Sequence, residues 1–198
     1  MRHRRDEFCV LFVCTGNICR SPVAERLFLA RIPSGLPVTV ASAGTHGLVG
    51  HPVDGPSALA LRELSGDPEG HRGRRLTPHM VGTADLVLTA QSAHREAVLH
   101  LDPLAMRRVF TLREFGRLGA AAPAVAGIVD PAVLRERVAE VAARRGSLPP
   151  AGAGVDEVGD PFGASLDVAR ACATQISSAV DLVIATLGLT GKDDAAQG

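Results

Sequence analysis

The sequence predicts an α/β fold in which a four-stranded parallel sheet carries helices on both faces. Four apolar segments with the character of strands alternate with helical segments, a pattern typical of a parallel sheet wrapped by helices. The first segment, residues 8–13, is apolar throughout, as expected for a strand covered on both faces. The loop after it is predicted to lie at the carboxyl edge of the sheet, where such folds bind ligands.

Length and composition predict one folded domain over residues 8–189, between terminal tails at 1–7 and 190–198. The chain has 198 residues, with 21 Lys or Arg and 21 Asp or Glu, so its formal net charge is zero. This balance argues against nucleic-acid binding, and no apolar run approaches the ~20 residues that cross a bilayer. We therefore expect a cytoplasmic protein with no nucleic-acid partner and no membrane contact, and the oligomeric state stays open.

The predicted elements follow the chain in order. Strands are expected at 8–13, 37–42, 84–89 and 108–111, and early helices at 23–32 and 58–64. Four later helices are predicted to begin at the N-cap residues Ser92, Thr111, Asp130 and Ser165, and the last to end at Gly188. An Ala-, Pro- and Gly-rich insertion is expected at about 119–155, either as a spacer or as a lid over a substrate or partner.

The residues between the first strand and the first helix form a candidate anion-binding loop. Gly16 and Asn17 tolerate left-handed backbone geometry, and Pro22 suits the first turn of a helix. Successive backbone N–H groups and a helix N-terminus would then point into one concavity that binds an oxyanion. The residues predicted to bind phosphate are Thr15, Gly16, Asn17, Ile18, Cys19, Arg20 and Ser21.

Two side chains of this loop suggest its chemistry. Cys14 opens the loop and Arg20 closes it, with the spacing Cys-x5-Arg. A guanidinium can bind two phosphate oxygens at once, and the same positive field favours a thiolate at Cys14. Ser21 is placed to hydrogen-bond the sulfur. The sequence therefore predicts a cysteine nucleophile beneath a bound phosphate.

The string from Cys14 to Pro22 closely resembles the phosphate loop of the low-molecular-weight protein tyrosine phosphatases. The resemblance extends from residue 8 to about residue 189, with an interruption near 119–155. It implies a three-layer fold of the flavodoxin-like or Rossmann-like kind, and hydrolysis of a phosphorylated protein or small phosphomonoester through a phosphocysteine. None of the four cysteines forms a CxxC pair and the histidines lack metal-ligand spacing, so we expect neither metal nor cofactor.

Further site residues follow from the resemblance. Four Asp-Pro pairs, at Asp67, Asp102, Asp130 and Asp160, compete as the acid that protonates the leaving oxygen, and residue pattern alone does not choose between them. Asp160, before the last helix, is similar in position to the acid of the family. The resemblance also implies that Ser42 and His71 support the loop together with Asn17 and Ser21. It further implies that Cys14 and Cys19 form a reversible disulfide under oxidation.

The chain departs from the family in the residues that wall the cleft. The acid loop offers only Phe162 as an aromatic, and the loop after the second strand has His46 and Leu48 instead of one. No Tyr is present, which excludes the control by tyrosine phosphorylation found in some relatives. A small-metabolite phosphatase, a thiol-linked arsenate reductase and a non-enzymatic phosphate-binding or redox-sensing module remain as alternatives. The reductase would need Cys9 and Cys172, which are both predicted to lie in the core.

Overall fold

The sheet agrees with the predicted topology. The computed structural model describes residues 6–147 and 151–189, so the predicted tails lie outside the described residues except for residues 6 and 7. Four parallel strands pair in the order β2-β1-β3-β4. They are β1 (Phe8–Cys14), β2 (Val38–Gly44), β3 (Leu86–Thr89) and β4 (Val109–Thr111). The prediction of a four-stranded parallel sheet is confirmed.

Seven α-helices accompany the strands within the described residues. They are α1 (Arg20–Arg31), α2 (Gly55–Glu63), α3 (Pro78–Thr83), α4 (Ser92–Leu101), α5 (Leu112–Ala120), α6 (Pro131–Ala143) and α7 (Leu166–Leu187), with 3-10 turns at Pro103–Arg107 and Arg144–Gly146. The first helix begins at Arg20, three residues earlier than predicted. Helix α3 was not predicted, because its six residues are too few to show a periodic apolar pattern.

Apolar side chains on the two faces of β1 build two cores. Val10 and Phe12 belong to a cluster shared with α1, α2, α5, α6 and α7. Leu11 and Val13 belong to a second cluster shared with α3 and α4. Because successive strand residues point to opposite faces, one continuous apolar run supplies both cores. The three-layer arrangement predicted from the sequence is confirmed.

The helix ends test the predicted caps. Thr111 and Glu114 form a complete capping box, Asp130 and Ser165 accept N–H groups of α6 and α7, and Gly188 is left-handed with φ 67°. These predictions are confirmed. The prediction for Ser92 is wrong, because Gln91 is the N-cap of α4 and its side chain does not cap. The backbone N–H of Ser92 donates instead to the carboxylate of Glu157, a distant residue that sequence pattern cannot supply.

Helix α6, within the predicted insertion, is part of the core. It buries Leu134, Val138 and Val141 against the sheet. Arg135 on the same helix pairs with Asp85 and donates to the carbonyl of Glu7, which directly precedes β1. These contacts lie at the amino edge of the sheet, opposite the loop that follows β1. Helix α6 therefore does not cover that loop.

The outer edge of β4 is covered by the guanidinium of Arg145. This group donates to the backbone carbonyls of Val109 and Met106, stacks over the ring of Phe110 at 3.9 Å and pairs with Glu114. The carbonyl of Val109 is thereby satisfied by a side chain instead of a further strand.

Helix α7 is the one described helix whose length and composition would suit a membrane span. In the structure it packs along α1, α2 and α5. Its apolar stripe, which includes Ala173, Ile176, Val180 and Val183, is buried in the larger core.

Candidate active site

The loop between β1 and α1 places Cys14 beside Ser21. The sulfur is buried, and it lies 3.0 Å from the hydroxyl oxygen of Ser21. Asn17 is left-handed with φ 56°, as its residue type predicted, and its amide donates to the same hydroxyl at 2.9 Å. The Ser21 oxygen can accept that bond and still donate its own proton to a deprotonated sulfur. The hydroxyl can therefore stabilise a thiolate at Cys14.

The guanidinium of Arg20 is held from three sides and has one uncommitted donor. It is buried, and its Nη1 donates to Oε1 of Gln91 at 3.1 Å and to the carbonyl of Val158 at 3.3 Å. Its Nη2 donates to Oγ1 of Thr15 at 3.2 Å and to Oδ2 of Asp160 at 2.5 Å. Within the described part of the chain, the buried Nε has no partner.

These bonds define which edge of Arg20 can bind an anion. A guanidinium has five N–H donors in one plane, and it grips an oxyanion with two adjacent donors. Both Nη1 protons are engaged by groups of the scaffold. The edge formed by Nε and Nη2 remains, where Nε is free and Nη2 is shared by Thr15 and Asp160. A phosphate that takes this edge would displace Asp160.

Asp160 joins the site from the loop before α7. Its side chain is 46% exposed, whereas that of Arg20 is 2% exposed. Its second oxygen, Oδ1, accepts the backbone N–H of Phe162 at 3.2 Å, which orients the carboxylate. The structure therefore brings Asp160 to the loop. Of the competing aspartates, Asp102 pairs with Arg108 and Asp130 caps α6.

A buried network behind the loop holds Asn17 in its left-handed conformation. The amide of Asn17 donates to Ser42 at 2.8 Å as well as to Ser21, and Ser42 in turn donates to the carboxylate of Glu25. The side-chain oxygen of Asn17 accepts the backbone N–H of Arg74 at 2.9 Å. All hydrogen-bonding groups of this amide are thus engaged. The sequence predicted Ser42 here, but not Glu25 or Arg74.

His71 contacts the same residue from the other side. Its Nε2 donates to the backbone carbonyl of Asn17 at 2.8 Å, and the ring is buried. Burial lowers the pKa of His71 below its usual value, so the ring is neutral near pH 7 with its proton on Nε2. The basic segment that carries it, residues 70–77, therefore presents its arginines to solvent and its histidine to the loop.

Two contacts with the loop were missed by sequence reasoning. Gln91 accepts from Arg20, and Nε2 of His94 lies 2.9 Å from Oγ1 of Thr15. Both residues follow β3, which pairs directly with β1. The available signal was their position after a strand, at the carboxyl edge where this class of fold binds ligands.

A cleft opens above the loop. Leu48 is 40% exposed at its mouth and Phe162 is 61% exposed. Cys19 is buried in the cleft wall, and burial raises its pKa to about 12, so it is a protonated thiol. The residues that line the cleft are Cys14, Thr15, Gly16, Ile18, Cys19, Arg20, His46, Leu48, Asp160 and Phe162.

The remaining two cysteines lie in different places. The prediction that Cys9 lies in the core is wrong, since it is partly exposed at the amino end of β1 and accepts from Thr39. Cys172 is buried as predicted, and its sulfur is 3.6 Å from the carbonyl of Gly159, next to Asp160. Burial raises the pKa of Cys172 to about 11. No group of three or more His, Cys, Asp or Glu side chains within the described residues could hold a metal ion.

Known proteins resemble this chain in sequence and in fold. Over 94 residues it is 47% identical to the low molecular weight protein-tyrosine-phosphatase Etp of Escherichia coli K12, a match that spans 48% of this chain and 62% of Etp. Over 103 residues it is 32% identical to the low molecular weight protein-tyrosine-phosphatase Ptp of Acinetobacter johnsonii, spanning 52% of this chain and 70% of Ptp. The chain thus spans less than two thirds of Etp.

Solved structures share most of the fold. The YwlE arginine phosphatase from Geobacillus stearothermophilus superposes with a TM-score of 0.65 at 26% identity, over 89% of this chain and 90% of that one. The low molecular weight protein tyrosine phosphatase from T. tengcongensis superposes with a TM-score of 0.63 at 27% identity, over 90% of this chain and 98% of that one.

The family model defines how far the sequence similarity extends. The model of the low molecular weight phosphotyrosine protein phosphatases matches residues 9–145. This range includes the loop from Cys14 to Ser21, together with Ser42 and His71. It ends before Asp160, so the position of that residue at the loop is supported by the structure and not by the family match. Because the match covers more than half of the chain, the chain belongs to the low molecular weight phosphotyrosine protein phosphatase family.

Proposed function

We propose that this protein hydrolyses phosphomonoesters through a phosphocysteine formed on Cys14, as a protein tyrosine phosphatase. One observation carries the proposal: Arg20 keeps one edge for an anion in the cleft that the buried Cys14 also lines, and Nη2 at that edge pairs with the partly exposed Asp160. A phosphate bound there would face the nucleophile and lie next to the acid. The family membership and the similarity to the protein-tyrosine-phosphatases Etp and Ptp support the same activity.

The first step transfers the phosphoryl group to sulfur. The Cys14 thiolate attacks phosphorus, so that an S–P bond forms while the P–O bond to the leaving group breaks. The guanidinium of Arg20 and the loop N–H groups stabilise the negative charge on the equatorial oxygens. Asp160, displaced from Arg20 by the phosphate, takes up a proton from solvent and gives it to the leaving oxygen.

The second step regenerates the enzyme. The Asp160 carboxylate takes a proton from water, whose oxygen attacks phosphorus while the S–P bond breaks. The sulfur leaves as a thiolate, and the Ser21 hydroxyl stabilises its charge through the 3.0 Å contact. Inorganic phosphate departs, Asp160 releases its proton to solvent, and the carboxylate can pair with Arg20 again. No step requires a metal or a cofactor.

The proposed substrate is a phosphotyrosyl protein in the cytoplasm. Phe162 and Leu48 offer apolar surface at the mouth of the cleft, which would contact the ring of a phosphotyrosine. A small phosphorylated metabolite is the second candidate. It is favoured because Phe162 is the one Phe, Tyr or Trp among the described residues that line the cleft, so a phosphotyrosine ring would have few stacking partners.

Two other functions are less compatible with the contacts. A thiol-linked arsenate reductase needs cysteines that pass a disulfide outward from Cys14. Cys9 lies at the other end of β1, and Cys172 is a buried, protonated thiol. A non-enzymatic phosphate-binding module would need neither Cys14 nor Asp160 at the anion edge.

Turnover of p-nitrophenyl phosphate and of a phosphotyrosyl peptide by the wild type and by Cys14→Ser tests the proposal. We expect turnover by the wild type and none by the variant, which should still bind inorganic phosphate in calorimetry. Cys9→Ser is the matched control and should retain full activity, because Cys9 lies outside the cleft. Equal activity of Cys14→Ser and wild type would reject the mechanism. Arsenite production from arsenate with added thioredoxin would favour the reductase.

A further inference from the structure

The hydroxyl of Thr15 connects Arg20 to a buried histidine that the reaction described above does not use. Its oxygen lies 3.2 Å from Nη2 of Arg20 and 2.9 Å from Nε2 of His94. His94 is in the first turn of α4 and is only 5% exposed. Its other ring nitrogen, Nδ1, is also buried and has no partner among residues 6–147 and 151–189.

The direction of the contact between Arg20 and Thr15 is fixed, and the tautomer of His94 sets the direction of the contact between Thr15 and His94. A guanidinium can only donate, so the Thr15 oxygen accepts from Arg20. The hydroxyl has one proton of its own, and the ring nitrogen of His94 is the acceptor within reach. If Thr15 donates this proton to His94, Nε2 carries no proton and the neutral ring has its proton on Nδ1. Burial and the nearby guanidinium of Arg20 lower the pKa of His94 to about 4, so the ring is neutral near pH 7.

We propose that neutral His94 is a positioning residue that orients the Thr15 hydroxyl and thereby the anion-binding edge of Arg20. Without an acceptor at Nε2, the hydroxyl can rotate its proton toward the guanidinium and stop accepting from Nη2. Among the described residues, Nη2 donates to Thr15 and to Asp160. If phosphate displaces Asp160, as the proposed function requires, Thr15 is the partner that remains to hold Nη2. The loss of His94 would therefore loosen the edge that grips phosphate. This inference rests on the proposed function, in which the anion at Arg20 is the substrate phosphate.

Variants of His94 and Thr15 test the relay in the whole 198-residue chain. Calorimetry gives the dissociation constant of inorganic phosphate, and steady-state kinetics with p-nitrophenyl phosphate give kcat/KM. His94→Leu and Thr15→Val each remove one hydrogen-bonding partner at similar volume. We expect each to weaken phosphate binding and to lower kcat/KM by about 3- to 10-fold. The double variant should be no worse than either single one, because both act through one chain of contacts.

Rescue separates positioning from packing. His94→Gln places an amide oxygen near the position of Nε2 and can still accept from Thr15, so we expect phosphate affinity within about twofold of wild type. His100→Leu removes an exposed histidine from the far end of the same helix and is the matched control. Equal losses in His94→Gln and His94→Leu, or additive losses in the double variant, would overturn the proposal.

The tautomer provides a readout that does not depend on turnover. In a 15N-labelled sample, the imidazole signals that disappear in His94→Gln belong to His94. We expect a protonated Nδ1 and an unprotonated Nε2 at pH 7, and a proton on Nε2 would overturn the relay. If the wild type binds phosphate with this tautomer but hydrolyses no phosphomonoester, the proposed function fails and the positioning of Arg20 by His94 stands.

Discussion

The carboxylate oxygen Oδ2 of Asp160 lies 2.5 Å from Nη2 of Arg20, although 140 positions separate the two residues in the chain. The arginine is almost fully buried and fixed by Gln91, Val158 and Thr15, whereas nearly half of the aspartate is exposed. An incoming anion can therefore displace the aspartate and leave the guanidinium in place. In the proposed reaction, this exchange would couple phosphate binding to the release of the acid.

The substitution Asp160→Asn should separate binding from catalysis. The amide cannot donate a proton to the leaving oxygen as a carboxylic acid does, so we expect kcat to fall by roughly 10²–10⁴-fold. The dissociation constant of inorganic phosphate should decrease, because a competing negative charge is removed from Nη2 of Arg20. The loss of kcat should be larger for phosphotyrosine than for p-nitrophenyl phosphate, whose more acidic phenol leaves more easily without a proton.

Asp156→Asn is the matched control for this substitution. Asp156 precedes Asp160 by four residues and pairs with Arg117, outside the cleft. We expect unchanged kcat and unchanged phosphate affinity. An equal loss of kcat in both variants would mean that the segment as a whole, and not the acid, supports turnover.

Replacing Asn17 should cost stability in two separable parts. Asn17→Gly keeps a residue that adopts φ 56° freely but removes three buried hydrogen bonds, and we expect a loss of about 3 kcal/mol in the free energy of unfolding. Asn17→Ala adds the cost of the left-handed backbone, about 1 kcal/mol more. Urea denaturation measures both values.

Ser65 provides the comparison for the backbone contribution. Asn17 and Ser65 are the two non-glycine residues with a positive φ among the described residues. Ser65 has φ 64° and is exposed. Ser65→Ala keeps the same backbone strain and should change the free energy of unfolding by less than about 0.5 kcal/mol. If Asn17→Gly were as stable as wild type, the network around Ser42 and Glu25 would not be needed to hold the loop.

The stability of the protein should fall as the pH decreases through the range in which His94 titrates. Its pKa is about 4 in the folded protein and about 6.5 in an unfolded chain, so the unfolded state takes up the proton first. The contribution of the neutral ring to the free energy of unfolding is therefore complete above pH ~6.5. It decreases by about 3 kcal/mol as the pH falls through ~4. The charges that act on the ring include Arg20, Asp160 and Glu157.

Thermal unfolding between pH 4 and 8 measures this dependence. Carboxylates also titrate in the range, so the quantity of interest is the difference between wild type and His94→Gln, which has no titrating ring. We expect a shallower decline for His94→Gln, and His79→Gln, at an exposed position, serves as the control. Parallel curves for wild type and His94→Gln would contradict the assigned pKa.

Oxidation should inactivate the protein reversibly through Cys19. Peroxide converts the Cys14 thiolate to a sulfenic acid, which condenses with the thiol of Cys19 and releases water. Dithiothreitol should then restore activity in the wild type. It should not restore activity in Cys19→Ala, because the Cys14 sulfenic acid cannot form the disulfide there and is oxidised further. Mass spectrometry should detect the Cys14–Cys19 disulfide. Only sulfonic acid at Cys14 in the wild type would contradict it.

The phosphate loop was predictable because its signals are local. Asn17 adopts the left-handed backbone that its residue type tolerates, with φ 56°, and Pro22 lies in the first turn of α1, as predicted. Gly16 does not have the positive φ that glycine permits. The alternation of apolar segments likewise predicted the order of strands and helices. Asp160 needed the resemblance to a family, because four aspartates precede proline and only the folded chain brings one of them to Arg20.

The remaining contacts depend on packing between distant segments. His94 faces Thr15 because β3 pairs with β1, and nothing in the residues around His94 encodes that pairing. Glu157 replaces the expected cap at Ser92 for the same reason. Cys9 was assigned to the core from the apolar run of β1, but the end of a strand next to an edge strand is only partly covered.

Arg145 protects β4, the strand at one edge of the sheet. Unprotected border strands recruit neighbouring molecules by backbone pairing. The guanidinium of Arg145 donates to the backbone carbonyls of Val109 and Met106. Its loss would leave these carbonyls open to other molecules and cause concentration-dependent self-association, whereas turnover at the cleft would be unchanged.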